Sequence, residues 1–329
     1  MSFERTTDLW ARLERDETES LGALTSILSY MRPHGSKSEH NMIRNWIVPL
    51  GGKTDGAGNI IVRVGERFEV AWTAHTDTVH PVAGYQKLAR GANNSIVRAP
   101  DRQRLTHGKK QCLGADDAAG IWLMREMILA GKPGLYIFQR AEELGGIGSN
   151  YIVHKTPEIL DGIRAVVSLD RGGHADIITH QMGARCASDA FASSVADQIP
   201  GFRASSEGLF SDSANYVDLI GECSNLSVGY SNAHSPNESL DVAHLYSLRA
   251  MLLSLEPGAL KYDRAPGETD SFYGLPYGNT SWPLYRSGAS NHARVAAALR
   301  DDPDAAADYL IEQGIDVDSL EEWLAGGRY

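Results

Sequence analysis

The chain has 329 residues, 42% of them hydrophobic, enough for one large α/β domain or two smaller ones with an ample core. A net charge of −11 argues against nucleic acid or an anionic membrane as the main partner, because phosphate neutralisation needs a basic face. No apolar run reaches the ~18 residues of a membrane-spanning helix, Met1 to Ser20 holds no apolar signal core, and Cys112, Cys186 and Cys223 cannot all pair, so a reduced, cytoplasmic protein is expected.

Thr18 to Met31 and Ser38 to Leu50 carry apolar side chains at helical spacing, which predicts two helices joined at the Pro33-His34-Gly35 break. Asp55 to Asn59 reads as a turn and Ile60 to Val64 as a short strand. Gly65-Glu66-Arg67 then turns the chain into Phe68 to Thr73, a predicted hairpin that ends at Ala74-His75-Thr76-Asp77. Val79 to Gln111 is polar and rich in Arg, Asn and Gly. It reads as a long excursion with an edge hairpin, and excursions of this length in compact domains are often functional.

The run Cys112-Leu113-Gly114-Ala115-Asp116-Asp117-Ala118-Ala119-Gly120 is the hub of the chain. A tight Gly-Ala turn leads into two carboxylates and then into an apolar stretch long enough for a buried helix. Carboxylates at a helix N-terminus are favoured by the dipole and can cap it, so the pair alone is an ordinary helix start. Downstream, Leu135 to Phe138 reads as a buried strand ending at Ala141-Glu142-Glu143, followed by a short helix. Ala165 to Leu169 reads as another, ending at Asp170-Arg171-Gly172-Gly173. Ile177 to Thr179 suggests a further strand, Asp212 to Ile220 a helix, Leu226 to Gly229 a short strand before a loop holding His234, and Leu240 to Leu255 a long amphipathic helix.

This alternation predicts an α/β fold with a mainly parallel mixed sheet sandwiched by helices. Composition shifts at Pro257, dividing a main domain over residues 1–256 from a C-terminal extension over 257–329. The extension holds short helical patterns and a tyrosine-rich stretch (Tyr262, Tyr273, Tyr277, Tyr285) suited to surface packing or to covering a site or sheet edge.

In open α/β sheets, ligands bind beyond the carboxyl ends of the strands. His75, Glu142, Glu143 and Asp170 stand just after predicted strands, Asp116 opens a helix, and His234 arrives on a loop. Ligands of types His, Asp, Glu, Asp and His suit a pair of divalent ions in nitrogen and oxygen coordination. Two cations roughly 3.5–4 Å apart repel, so a carboxylate must be shared between them, and Asp116 is the candidate. Asp77, two residues after His75, is placed to orient the imidazole. Of the adjacent Glu142 and Glu143, one can bind metal while the other handles protons. Singly, each signal has an ordinary reading as a cap, a solvated pair, an acidic turn or a loop histidine; their joint order on strand ends argues for a site.

The stretches Ala74-His75-Thr76-Asp77, Gly114 to Gly120, Ala141-Glu142-Glu143, Leu169-Asp170 and Ala233-His234-Ser235 resemble the co-catalytic zinc exopeptidase clan, which includes peptidase T, related aminopeptidases and carboxypeptidase-like deacylases. The Gly-Ala-Asp-Asp-x-Ala-Gly run looks most like peptidase T. The resemblance spans about residues 20 to 255 and implies the clan's three-layer fold. It also implies two divalent ions, zinc with cobalt or manganese as alternatives. His75, Asp116 and Asp170 would hold one, and Asp116, Glu143 and His234 the other, with Glu142 as general base and Asp77 orienting His75. Phe210-Ser211-Asp212 and Asn237-Glu238-Ser239 also look like the clan's pattern around the last histidine.

One departure shapes the functional expectation. Clan members with a lid or dimerisation domain usually insert it between the acidic ligand and the final histidine. Here Asp170 and His234 are only 64 positions apart, too few for such a domain, which leans the reading towards an aminopeptidase. The expected reaction is hydrolysis of an amide bond at the N-terminus of a peptide, with Glu142 taking a proton from the attacking water. A deacylase of small N-acyl substrates would use the same site, with Arg171 or Arg185 as its cation. A non-catalytic metal-binding module is the alternative of another class. The expected partner is a peptide or small amide, with no nucleic acid and no membrane; the oligomeric state is left open.

Overall fold

The computed structural model describes residues 18–99 and 111–268. Its frame is an eight-stranded sheet in the order Arg203–Ser205, Asp176–Ile178, Glu222–Ser227, Ala165–Arg171, Val70–His75, Gly134–Gln139, Ile60–Val64, Lys53–Thr54. Glu222–Ser227, Ala165–Arg171, Val70–His75 and Gly134–Gln139 run parallel. Their neighbours on either side, Asp176–Ile178 and Ile60–Val64, pair antiparallel with them.

Successive residues on a strand face opposite ways, and here they feed two cores. Trp72, Tyr136 and Val167 look to one face, where they join Leu24 and Ile27 of the helix Thr18–Ser29, Trp122 of Ala115–Leu129 and Leu248 of Val242–Ser254. Ala71, Leu135, Ile137 and Val166 look to the other, against Ile152 of the helix Ile147–Lys155 and against Leu160 and Tyr216. The result is the three-layer α/β arrangement expected. Each large apolar side chain buried this way stabilises the fold by about 1.5–3 kcal/mol. Gly120 lets Ala115–Leu129 lie close on the sheet, since a Cβ there would stand 2.3 Å from the carbonyl oxygen of Leu169.

Several elements differ from the sequence expectation. Ile60–Val64 and Val70–His75 are not a hairpin, because Gly134–Gln139 lies between them, antiparallel to one and parallel to the other. All six residues of Gly134–Gln139 are buried, so this strand needs neighbours on both edges and takes them. Asp212 to Ile220 holds only a 3₁₀ turn, Asp212–Tyr216. The last central strand starts earlier than expected, at Glu222, and its polar sequence Glu-Cys-Ser-Asn-Leu-Ser hid it. The Glu222 carboxylate accepts from the amides of Ser188, Asp263 and Arg264, and the Ser224 hydroxyl donates to the Ile178 carbonyl.

The excursion after His75 forms the expected hairpin, Leu88–Arg90 with Ile96–Arg98. That hairpin pairs through Ile96–Arg98 with Ser239–Leu240, which pairs in turn with Tyr230–Ser231. The loop between these last two strands carries His234, so the excursion buttresses the loop that delivers the final histidine. Between Asp170 and His234 the chain builds sheet strands and the helix Asp189–Ala196, which the sequence reading missed. Pro257–Ala259 forms a turn, and the Gly267 amide donates to the Val217 carbonyl. Tyr262 stacks under Arg164, 4.0 Å from its guanidinium carbon. Tyr273, Tyr277, Tyr285 and the helical patterns beyond lie outside the described residues. Among the described residues no helix is long and apolar enough to cross a membrane.

Candidate metal centre

The parallel strands deliver their carboxyl ends to one rim. His75 is the last residue of Val70–His75, and Asp170 is the last but one of Ala165–Arg171. Glu142 and Glu143 follow Gly134–Gln139 after a turn through Ala141, held at φ 58°. His234 sits in its loop at φ 60°. Asp116 stands where Gly114, at φ 73°, turns the chain into the Ala115–Leu129 helix; Asp116 and Asp117 have non-helical backbone angles and are joined by a cis peptide.

The two adjacent aspartates divide the two roles that the sequence left open. Asp117 is a helix cap: its carboxylate accepts from the Gly120 amide at 2.9 Å and from the His75 amide at 3.1 Å. Asp116 turns the other way and meets both histidines. His75 Nε2 lies 2.9 Å from Asp116 Oδ1 and 3.5 Å from Asp170 Oδ1. His234 Nε2 lies 3.2 Å from Asp116 Oδ2 and 3.0 Å from Glu143 Oε1. Thus His75, Asp116 and Asp170 offer ligand atoms within 4.8 Å of one another, and so do Asp116, Glu143 and His234. His75, Glu142 and Glu143 form a third grouping of the same kind. Asp116, with one oxygen towards each histidine, belongs to the first two groups.

Asp77 does more than was expected of it. His75 Nδ1 is 3.2 Å from the Asp77 backbone oxygen and 3.5 Å from its carboxylate, so the backbone is the nearer partner. The carboxylate also accepts from the amides of Glu142 at 3.2 Å and Glu143 at 3.3 Å, fixing the turn that carries both glutamates.

The electrostatics are those of a crowded anionic site. Burial, reinforced by the charges of Asp170, Asp212 and Glu143, pushes the Glu142 carboxyl well above the usual carboxylate range. Burial and the Asp116 charge push Asp170 up to about 6. Burial works against Asp116 too, but hydrogen bonds from His234 and His75 hold its carboxyl below the usual range. Hydrogen bonds to Asp116 and Glu143 raise His234 to about 10. Burial opposes protonation of His75, yet Asp170 and Asp116 outweigh it and raise its pKa. Among the described residues, no lysine or arginine hydrogen-bonds or pairs with Asp116, Asp117, Glu142, Glu143 or Asp170. A set of carboxylates with two imidazoles and no fixed cation has the donor chemistry of a divalent metal site.

Supporting residues were less legible. The Glu238 carboxylate accepts from four successive amides, Leu113, Gly114, Ala115 and Asp116, at 2.7–3.2 Å. It thereby ties the His234 loop to the turn that presents Asp116, and burial with the Asp116 charge raises it to about 7. The Asn-Glu-Ser stretch after His234 was its sequence signal. Arg32, fully buried, donates to the carbonyls of Ile27, Thr76 and Gly114, binding the His75 strand end to the same turn. Nothing in its local sequence announced that role. Asp212 is buried and accepts a short hydrogen bond from the Ser149 hydroxyl, and burial raises it to about 7.

No protein-family model and no curated protein matches the sequence. Solved structures do resemble it. A tripeptidase from Staphylococcus aureus superposes with a TM-score of 0.59 at 15% identity, over 74% of this chain and 98% of that one. Aminopeptidase PepT from Bacillus cereus gives 0.59 at 15% identity, over 74% and 99%. An aminopeptidase from the archaeon Desulfurococcus kamchatkensis gives 0.53 at 13% identity, over 76% and 99%. At these identities the likeness is one of fold, and it bears out at that level the resemblance to the exopeptidase clan.

Proposed function

We propose that the chain is a metal-dependent aminopeptidase that hydrolyses the first amide bond of a peptide. Fold alone does not carry activity, so the reading rests on the site. The observation that carries it is Asp116 shared between two groups of ligand-type side chains, with Glu142 on the turn beside them. In this reading His75, Asp116 and Asp170 hold one divalent ion and Asp116, Glu143 and His234 the other, zinc being the first choice and cobalt or manganese the alternatives. Such ions, when bound, polarise a carbonyl and lower the pKa of water in the site.

The protein's own residues supply orientation and proton transfer. Asp77, through the amides of Glu142 and Glu143, fixes the two glutamates relative to His75. Glu142, its proton affinity raised by burial, takes the proton of the attacking water and passes it to the leaving amine. A deacylase would need a cation for the substrate carboxylate, but Arg171 faces Asp176 and Arg185 faces Asp189. The short path from Asp170 to His234 supports an enzyme without a lid-type dimerisation domain. Three buried cysteines, none in a disulfide, suit a reducing, cytoplasmic setting.

The test is mass spectrometry of one short peptide, free and N-acetylated, incubated with the protein with and without a chelator. Chelator-sensitive loss of the first residue from the free form alone is the expected result. Cleavage of the blocked form alone would make the protein a deacylase, and cleavage of neither would remove the catalytic reading.

A further inference from the structure

The turn Asp55-Gly56-Ala57-Gly58-Asn59 lies outside the metal centre, yet its last side chain grips the loop that carries Glu142 and Glu143. Ile60–Val64 runs antiparallel to Gly134–Gln139 with Ile60 paired to Phe138, so the residue entering one strand meets the chain leaving the other. Asn59 is that entering residue, and it is fully buried. Its Oδ1 accepts from the Arg140 amide at 3.0 Å, and its Nδ2 donates to the Gly148 carbonyl at 2.9 Å. The Gly148 amide donates to the Arg140 carbonyl at 2.8 Å, so these two residues close the neck of the loop and Asn59 bridges both sides of it. A Cβ at residue 148 would stand 2.2 Å from Asn59 Oδ1 and 2.7 Å from the Arg140 backbone, an approach that requires glycine. Asn59 is itself held. Its second amide hydrogen goes to Asp55 Oδ2 at 2.7 Å, while Asp55 Oδ1 accepts from the Ala57 and Asn59 amides at 2.9 and 3.0 Å.

Both amide hydrogens and the carbonyl oxygen of the Asn59 side chain are thus committed, which fixes its rotamer and the orientation of its amide. A supporting side chain can hold a reacting group in place only when its own position is locked in this way. The loop is held at its tip, where Asp77 accepts from the amides of Glu142 and Glu143, and at its neck by Asn59. We infer that Asn59, anchored by Asp55, is a positioning residue that sets where Glu142 stands relative to His75. Fully buried, Asn59 touches no substrate and acts only through the loop. The inference rests on the reading of Glu142 as the proton carrier. Misplacing a reacting group by about 1 Å can cost about 100-fold in rate, so a loosened neck should show in kcat.

The test is a double-mutant cycle on peptide hydrolysis, with kcat and KM measured at equal concentrations of folded protein. In Asn59→Ala, kcat should fall by about 10–100-fold while KM stays within about threefold of the wild type. In a Glu142→Gln background the same change should cost less than about threefold, because the group it positions no longer moves a proton. Asp55→Asn, a half-buried change that leaves Asn59 in place, should lower kcat less and with the same dependence on Glu142. It carries the test if Asn59→Ala does not fold. Hydrogen exchange over residues 140–148 should quicken in either variant, while exchange over Ala115–Leu129 keeps its wild-type rate. Equal losses of kcat in both backgrounds would overturn the inference, since a residue that only maintains the fold lowers every rate alike. An unchanged kcat, or unchanged exchange in the loop, would overturn it as well. Wild-type turnover in Glu142→Gln would strike the proton-carrier reading itself, and the inference with it.

Discussion

Two buried clusters of charge sit close together beneath the His75 turn and differ in one respect. In the first, Glu39 is fully buried, and its carboxylate takes a two-point contact from Arg140, at 2.8 and 2.9 Å. The Thr76 hydroxyl at 2.7 Å and the Gly35 amide at 2.6 Å complete it. Every lone pair that faces the interior is used, and the charge is neutralised by a partner that the fold itself supplies. In the second, Asp116, Asp170, Glu142 and Glu143 crowd around two imidazoles, and among the described residues no arginine or lysine hydrogen-bonds or pairs with them. Only the second leaves its charge for an outside cation to offset, the arrangement expected of a candidate binding site rather than of a structural ion pair.

The contrast can be broken or sharpened by substitution. The largest effect is expected at Glu142, the one carboxylate in the second cluster whose proposed task is to move a proton. Glu142→Gln keeps its shape and removes its basicity, so kcat should fall by about 10²–10⁴-fold, with bound metal unchanged by elemental analysis. Turnover close to wild type would remove Glu142 from the mechanism. Next in size is the first cluster. Arg140→Met leaves Glu39 buried without its cation and should cost about 3–5 kcal/mol in denaturant unfolding, while the double change Glu39→Leu with Arg140→Met should recover most of the loss. If the single change cost little, the self-sufficiency of this pair would be illusory.

The second cluster was legible in the sequence, and the first was not, for a physical reason. Candidate metal ligands are of particular residue types, and the topology of a parallel sheet delivers them just after strand ends. His75, the Glu142-Glu143 pair and Asp170 were therefore readable from apolar runs followed by a polar residue, while the division of labour within the pair came only from the resemblance. Asp116 was readable only jointly: alone it is an ordinary helix start, and the ligand-type residues on the other strand ends made it the candidate to be shared. Glu39, Arg32 and Arg140 pair across long stretches of chain with no local pattern, so their neighbourhoods look like ordinary helix and turn sequence. Sheet topology was misread on the same principle. Ile60–Val64 and Val70–His75 look like a hairpin locally, and only the burial of a distant strand, Gly134–Gln139, separates them. Glu222–Ser227 was read short because its polar side chains are satisfied by partners such as Ser188 and Ile178, remote in sequence.

The smallest effect is the most discriminating, because its sign differs between the clusters. Asp170 has its carboxyl raised to about 6 by burial and by Asp116. An acid that holds its proton more tightly when folded weakens the fold as pH climbs from the unfolded value, ordinarily 3.8, through the folded one, and above that the whole cost is present. Asp170→Asn removes the titration with little change of shape. Without metal at pH 8 the variant should therefore be more stable than the wild type, by up to about 3 kcal/mol, the attraction to His75 being already contained in the shift from 3.8 to about 6. That advantage should shrink as pH falls towards 4, where the wild-type carboxyl is itself protonated. Adding zinc should reverse the order, because a ligand stabilises the fold more the more tightly it binds and an amide is the poorer donor. Thermal unfolding with and without zinc at the two pH values reads all of this in one experiment. A metal-free variant less stable than the wild type at pH 8 would mean that Asp170 is satisfied by the protein as fully as Glu39 is, and the second cluster would then be structural as well.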